Sequence, residues 1–418
     1  MLFIYNILQL LLAPLACLLL PVYLISRPEK SKTILPKLGI KLKPVEKHGR
    51  TVVWIHALSV GEVTSAAPLV RRLKQNLGDQ VVIVFTASTV TGLQLAENTL
   101  APFCDRRMYA PLDILPVVNR CIRIISADLF IQVETDFWPN LLHGLNKSRT
   151  PMILVNGRIS ASSISRYRRF SFFFGPLFDQ FDRLCMQTEA DQDKMLALGI
   201  DPHKISVLGN LKFADIEDVN VASADSSPFP EDRLIFLCGS THAGEESVLL
   251  EAFADLHREF KNIHLVLAPR KIERIDNIIP LIEDSGFTFR RLTEQPQDTD
   301  VTLVDTIGDL SGLYRFGDIC FIGGSLVDQG GHNPLEAARF GKVALFGPYM
   351  DDFSEISSGL VQAGGALQVS GAGELRQVVA SLFISEEQRL ERGRRGLNFI
   401  SDHQHVLDEH MNIIKSLL

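Results

Sequence analysis

From Thr51 onward the chain repeats one pattern: a short, nearly unbroken apolar run rich in β-branched residues, then a longer stretch with helical spacing. The runs are TVVWIHA (51–57), VVIVFTA (81–87), DLFIQVE (128–134), PMILVNG (151–157), RLIFLCG (233–239), IHLVLAP (263–269), DICFIGG (318–324) and KVALFGP (342–348). Strands that are apolar on both faces belong to parallel sheets covered by helices on each side. The pattern therefore predicts an α/β protein. The acidic, Ser- and Pro-rich stretch 214–232 interrupts the alternation and reads as a linker. It separates a first α/β domain, 51–213, from a second, 233–418. Doubly wound sheets bind ligands at the carboxyl ends of their strands, and two such sheets facing one another bind in the cleft between them. Past Ser385 the spacing predicts one or two amphipathic helices.

Residues 1–25, MLFIYNILQLLLAPLACLLLPVYLI, carry no charged side chain. A run of that length is enough to cross a hydrocarbon core of about 30 Å, so 1–26 reads as a membrane anchor. Pro14 and Pro21 weaken a straight spanning helix, which leaves a kinked or half-inserted anchor as the competing reading. The following segment, 27–50, holds eight basic residues (Arg27, Lys30, Lys32, Lys37, Lys41, Lys43, Lys47, Arg50) against Glu29 and Glu46. Positive charge after the apolar run places the body on the cytoplasmic side of the membrane.

Composition narrows the class. The 418 residues are 46% hydrophobic and 22% charged, which excludes disordered, collagen-like and disulfide-stapled chains. A net charge of −7 makes nucleic acid a poor partner. Six cysteines without a C-x-x-C pair read as buried free thiols in a reducing compartment.

Several strand ends carry candidate chemistry. After the first strand, Ser59-Val60-Gly61-Glu62 reads as a capping box or as a carboxylate facing a ligand cleft, the placement a general base needs. Glu134 ends an apolar strand that has no structural use for an acid. Lys212, in GNLKF, is either an anion contact or a solvated charge. The Gly-rich GGSLVDQGGHNPLEAA (323–338) predicts a helix start, with Asn333 at N-cap, Pro334 at N1 and Glu336 at N3. Its glycines would let backbone N–H groups approach a phosphate at the helix N-terminus, and Glu336 would accept from ribose hydroxyls. GSTHAGEE (239–246) and APRKIER (268–274), with Arg270, close two more strands of the second half. SRYRRFSFFFGPLF (165–178) places Arg166, Arg168 and Arg169 beside Phe170, Phe172, Phe173 and Phe174. It reads as a helix with a core side and a cationic side, or as a patch for an amphiphile with phosphates and acyl chains.

WIHALSVGEV, VETDFWPNLL, VNGRIS, GNLKF, GSTHAGEE and GGSLVDQGGHNPLEAA together resemble the 3-deoxy-D-manno-octulosonic acid (Kdo) transferases over essentially the whole chain. The resemblance implies a GT-B glycosyltransferase: two facing Rossmann-like domains behind a hydrophobic N-terminal anchor, at the cytoplasmic face of the Gram-negative inner membrane. Such an enzyme transfers Kdo from CMP-Kdo to the lipid A precursor (lipid IVA) in lipopolysaccharide synthesis, with no cofactor and no metal. The resemblance puts the catalytic base on Glu62 and assisting roles on Glu134 and Lys212. CMP contacts fall on Pro269 and Arg270, on Ile307, Gly308 and Asp309, and on Asn333, Pro334, Leu335 and Glu336. Two departures stand out: Ile307-Gly308-Asp309 replaces the usual Met-Gly-Glu, and Lys-Ile-Glu-Arg replaces His-Pro-Glu-Arg after Arg270. Read from the residues alone, a UDP-sugar enzyme of the same fold and a membrane-anchored, non-catalytic lipid or nucleotide binder stay open.

Overall fold

The computed structural model describes residues 2–27, 31–40, 42–136, 138–216, 226–403 and 405–418. The chain forms two compact units, Met1–Asp215 with His405–Leu418, and Ile216–Gln404. Lys30, Lys41 and linker residues 217–225 lie outside the described residues, as does the side chain of Cys17.

The first unit holds β1 (Thr51–Ala57), β2 (Val81–Ala87), β3 (Arg106–Tyr109), β4 (Leu129–Val133), β5 (Met152–Gly157), β6 (Arg183–Met186) and β7 (Ile205–Val207). They form one parallel sheet in the order β3-β2-β1-β4-β5-β6-β7. The second unit holds β8 (Leu234–Thr241), β9 (Ile263–Pro269), β10 (Phe289–Arg291), β11 (Val301–Leu303), β12 (Ile319–Ile322), β13 (Val343–Phe346) and β14 (Ala366–Gln368). Its sheet is also parallel, in the order β10-β11-β9-β8-β12-β13-β14. Every residue of β2, β4, β5 and β9 is buried, as strands covered by helices on both faces require. Strand order reverses between β1 and β4, and again between β8 and β12. In a doubly wound sheet the ligand crevice opens at that reversal, beyond the carboxyl ends of the two strands.

The strands β1, β2, β4, β5, β8, β9, β12 and β13 coincide with the apolar runs of the sequence. The short outer strands β3, β6, β7, β10, β11 and β14 are not among those runs, because three or four residues make too short an apolar stretch to stand out. The last helix, Val406–Leu417, departs from the expected boundary of 233–418. Its Val406, Leu407, Met411 and Ile414 pack with Val63, Val70 and Leu73 in the core of the first unit. Five cysteines, Cys104, Cys121, Cys185, Cys238 and Cys320, are free and buried.

The N-terminal helix, Leu2–Ser26, is held to the first unit at its start. Tyr5 Oη donates to Asp113 Oδ2 (3.0 Å), Asn6 Nδ2 to Asn140 Oδ1 (2.8 Å) and Gln9 Nε2 to the Asp113 carbonyl (2.8 Å). Among the described residues no helix is long and apolar enough to cross a membrane, so a spanning anchor over 1–26 finds no support. Polar Asn6 and Gln9 are committed to the protein body, and Pro14 and Pro21 lie within the helix. The helix nevertheless exposes Phe3, Ile4, Leu8, Leu10, Leu11, Leu18 and Ile25. Part of the basic segment that follows is structural: Lys37 Nζ donates to the Ser88 carbonyl (2.6 Å), and Lys47 pairs with Asp128 (2.9 Å).

Trp54 and Trp138, the two tryptophans, both lie in the first unit, so their fluorescence reports its unfolding. Ile414 is fully buried. Ile414→Ala should lower the stability read by tryptophan fluorescence in urea by about 2–5 kcal/mol. A shift below about 0.5 kcal/mol, as for a surface change, would assign the last helix elsewhere.

Candidate functional site

Each unit places polar groups at its own strand reversal. In the first, the residues after β1 and β4 are Leu58–Glu62 and Glu134–Asp136. Ser59 takes the extended N-cap conformation before the helix Val60–Leu77, but its side chain makes no capping bond. The predicted capping box is therefore not formed. Glu62 reaches past Ser59 and accepts from the Leu58 N–H. Among the described residues that is its one hydrogen bond. Its side chain is buried, and burial pushes the carboxyl up to about 8, with the charges of Glu134 and Asp136 adding to the rise.

Glu134 follows β4 with a left-handed backbone (φ 58°), a strained choice for a residue with a side chain. Its N–H still donates to the Val155 carbonyl (2.9 Å), which locks the turn to β5. Burial raises the Glu134 carboxyl, while Lys212, Arg158 and the Asn156 amide oppose the rise. Lys212 thus stands in the electrostatic environment of Glu134, as the resemblance implies, and Glu134 in that of Glu62. The structure brings all three sequence-predicted residues to one end of the first sheet.

Asn156, at the end of β5, is a residue to which sequence reasoning assigned no role. It is fully buried with φ 56°, donates to Glu134 Oε1 (3.3 Å) and accepts from the Leu211 N–H (2.9 Å). It therefore ties the turn carrying Glu134 to the turn carrying Lys212. An Asn-Gly pair closing an apolar strand was the available signal. His56 and Gln132 sit in register on β1 and β4. Among the described residues, His56 Nε2 and Gln132 Oε1 are buried without partners.

In the second unit, the residues after β8 and β12 are His242–Glu246 and Gly323–Glu336. Here two expectations are corrected. The first part of the glycine turn does not offer its N–H groups to a ligand. Gly324, Ser325 and Leu326 donate to the buried Glu245 carboxylate at 2.7, 3.0 and 2.9 Å. Gly323 has a packing reason: a Cβ there would meet the Ser240 carbonyl oxygen at 2.3 Å. The helix expected from Pro334 is a single turn, Leu335–Ala338, with Pro334 itself at N-cap; Asn333 Oδ1, one residue earlier, accepts from Leu335 N–H (3.1 Å). One turn sums too few peptide dipoles to act as an anion site.

The remaining predicted residues differ in availability. Leu335, Pro334 and Pro269 are buried, so their side chains serve packing. Arg270, Ile307, Gly308 and Asp309 are exposed, and Asn333 and Glu336 half-buried. Ile307 is 88% exposed on the turn completed by Gly308. Arg274 is paired with the buried Glu246 (2.8 and 2.9 Å). Arg270 is not so engaged: among the described residues its guanidinium has no ion-pair partner, and it lies close enough to depress the pKa of His332. His242 and His332 stack at 5.2 Å with Nε2 atoms 2.9 Å apart, one ring donating to the other. Burial, with Arg270 and His242 nearby, lowers His332 to about 4. The basic aromatic stretch divides: Tyr167 and Phe178 are core, while Phe170, Phe172, Arg166, Arg168 and Arg169 are exposed.

Residues 32–215 match the family model described as 3-deoxy-D-manno-octulosonic-acid transferase (kdotransferase). The chain is 34% identical over 375 residues to the 3-deoxy-D-manno-octulosonic acid transferase of Haemophilus influenzae, covering 88% of this chain and 87% of that one. Among solved structures it resembles the UDP-GlcNAc 2-epimerase of Neisseria meningitidis (TM-score 0.59, 14% identical, 86% of this chain and 99% of the other). It also resembles a glycosyltransferase of Rickettsia africae (TM-score 0.55, 14% identical, 88% and 98%). These two likenesses concern the fold alone.

The raised Glu62 value has a sign in stability. A carboxyl that is neutral when folded favours the folded state below its ordinary value of 4.5, and that favour is lost as pH climbs to about 8. Glu62→Gln should raise the thermal midpoint over the native chain by a margin that is small at pH 4.5, grows towards pH 8 and then levels. A margin independent of pH across that window would show that Glu62 titrates normally.

Proposed function

Because the chain belongs to the Kdo transferase family, we propose that it transfers Kdo from CMP-Kdo to the lipid A precursor, with Glu62 as the general base. The observation that carries this reading is the state of Glu62. It is a carboxylate at the strand reversal of the first unit, held by one backbone N–H and raised to about 8. A base works best with a pKa near the operating pH, where it combines basicity with a useful ionised fraction.

The acceptor hydroxyl loses its proton to Glu62 as its oxygen attacks the anomeric carbon, which inverts. The bond from that carbon to the CMP phosphate oxygen breaks, and CMP departs as a phosphate monoester. No general acid is obligatory for such a leaving group. Glu134 and Lys212 set the field around the base: the acid's charge keeps Glu62 basic and the ammonium offsets Glu134. The donor belongs to the second unit. Arg270 is the cation available for the phosphate, with Ile307, Gly308, Asp309, Asn333 and Glu336 around the nucleoside. The contribution assigned to Pro269, Pro334 and Leu335 is through their backbone.

The chain works at the cytoplasmic face of the inner membrane. The exposed apolar side chains of Leu2–Ser26 and the exposed Phe170 and Phe172 with their three arginines support partial insertion at a lipid surface. The acceptor, a phosphorylated and acylated disaccharide, is found there.

Incubating the purified chain with CMP-Kdo and the tetraacylated precursor, then weighing the lipid by mass spectrometry, should show the mass of added Kdo; UDP-sugars should give none. The kcat/KM for transfer should rise with pH through a midpoint near 8, since a base must be ionised. Glu62→Gln should lower kcat by about 10²–10⁴-fold with CMP binding retained. Near-native turnover in that variant removes Glu62 from the role.

A further inference from the structure

The second unit contains a buried carboxylate where an anionic ligand would be expected to want none. Glu245 is fully buried at the start of the helix Glu245–Glu259. It accepts four backbone hydrogen bonds: from His242 N–H (2.8 Å) on its own turn, and from Gly324 (2.7 Å), Ser325 (3.0 Å) and Leu326 (2.9 Å) after β12. Those two turns flank the strand reversal between β8 and β12. Consecutive N–H groups converging on one anion form the kind of concavity that elsewhere holds a phosphate. Here the protein's own carboxylate fills it.

The turns also meet above that bond. Gly324, at φ 69°, lies under both imidazoles: a Cβ there would contact His332 Cδ2 at 3.2 Å and His242 Cδ2 at 3.4 Å. His242 belongs to the turn whose N–H bonds Glu245, and His332 to the loop that leaves Gly324. The 2.9 Å bond between the two rings therefore depends on the distance that Glu245 sets between the turns.

We propose that Glu245 is the positioning residue of the donor site: it joins the turn after β8 to the glycine turn after β12 and so sets the His242–His332 pair facing the donor. This rests on the reading that the second unit holds CMP-Kdo. Neighbouring Glu246 is also fully buried, but it is paired with Arg274 and Thr241, between β8 and the segment after β9. It has no bond to the glycine turn, and it serves as the comparison.

An amide at position 245 keeps one acceptor oxygen and turns a donor NH2 towards the remaining N–H groups. Glu245→Gln in the full chain should therefore raise the calorimetric Kd for CMP and the KM for CMP-Kdo about 10–100-fold, the range for losing charge-assisted hydrogen bonds. The KM for the lipid acceptor should stay at its native value. A merely structural carboxylate would lower the melting temperature and the active fraction, leaving both donor constants where they were. Glu246→Gln should show that second behaviour. His242→Phe keeps a stacked ring and removes the Nε2 bond; it reads the same pair should Glu245→Gln fail to fold, and it should raise the donor KM about tenfold or more. Donor constants within about twofold of native in a folded Glu245→Gln chain, or in His242→Phe where that chain does not fold, overturn the proposal. A native chain giving no heat with CMP overturns the donor reading itself, and this inference with it.

Discussion

A buried carboxylate at a strand-to-helix turn must find hydrogen-bond donors or give up its charge, and both units of this protein are organised by that constraint. In the second unit Glu245 finds four N–H groups and becomes part of the frame. In the first, Glu62 stands in the corresponding place after the first strand of its sheet and finds one, from Leu58. Desolvation there is answered by a shifted proton equilibrium instead of by bonding. The same fold position thus carries a carboxyl group tied into the frame by four N–H groups in one sheet and one held by a single N–H in the other. The difference lies in the neighbouring turn: Gly324–Leu326 turns its N–H groups inward, whereas Glu134–Asp136 presents two further acids.

The parallel sheets make those turns meet. Strand order reverses at β1/β4 and at β8/β12, so the loops that follow each pair diverge to opposite faces and leave a gap at the carboxyl edge. Close approach of backbones across that gap is what the glycines permit. At Gly323 any side chain would collide with Ser240. In the first unit the turn after β4 is braced from the β5 side by Asn156, whose amide joins the turns of Glu134 and Leu211. Strain accumulates in the same places: Glu134, Asn156 and Ser240 all have positive φ. Residues held in such conformations are set by their surroundings, as precise orientation of a reacting group demands.

Membrane contact, as proposed above, would use a different physics. The N-terminal helix is tied to the body by amide and hydroxyl groups near its start and leaves most of its described apolar side chains uncovered. Asp113, which receives Tyr5, also accepts from the N–H groups of Asn140 and Leu141 at the start of the helix Pro139–Lys147. The attachment is therefore continuous with the segment that follows Glu134. Several lysines and arginines that read as a free basic collar are bonded within the first unit, which leaves Arg166, Arg168 and Arg169 as a more exposed cationic group.

Local composition was enough to determine the α/β class, the central strands and the carboxylates at their ends. An apolar run buried on both faces has a period that any window of residues reveals, and an acid that ends it stands out against that background. Glu134 was legible for that reason; Glu62 read equally as a cap and Lys212 as a solvated charge, and both took their assigned roles from the resemblance, whose family the comparisons share. Only the tertiary structure decided what each group bonds to. That the glycine turn is closed by Glu245, about eighty positions earlier, that the helix after Asn333 is one turn long, and that the last helix returns to the first unit are matters of long-range contact. Such contacts have no period along the chain: a hydrogen bond between distant turns depends on where the sheets bring them, and no neighbour in sequence records it.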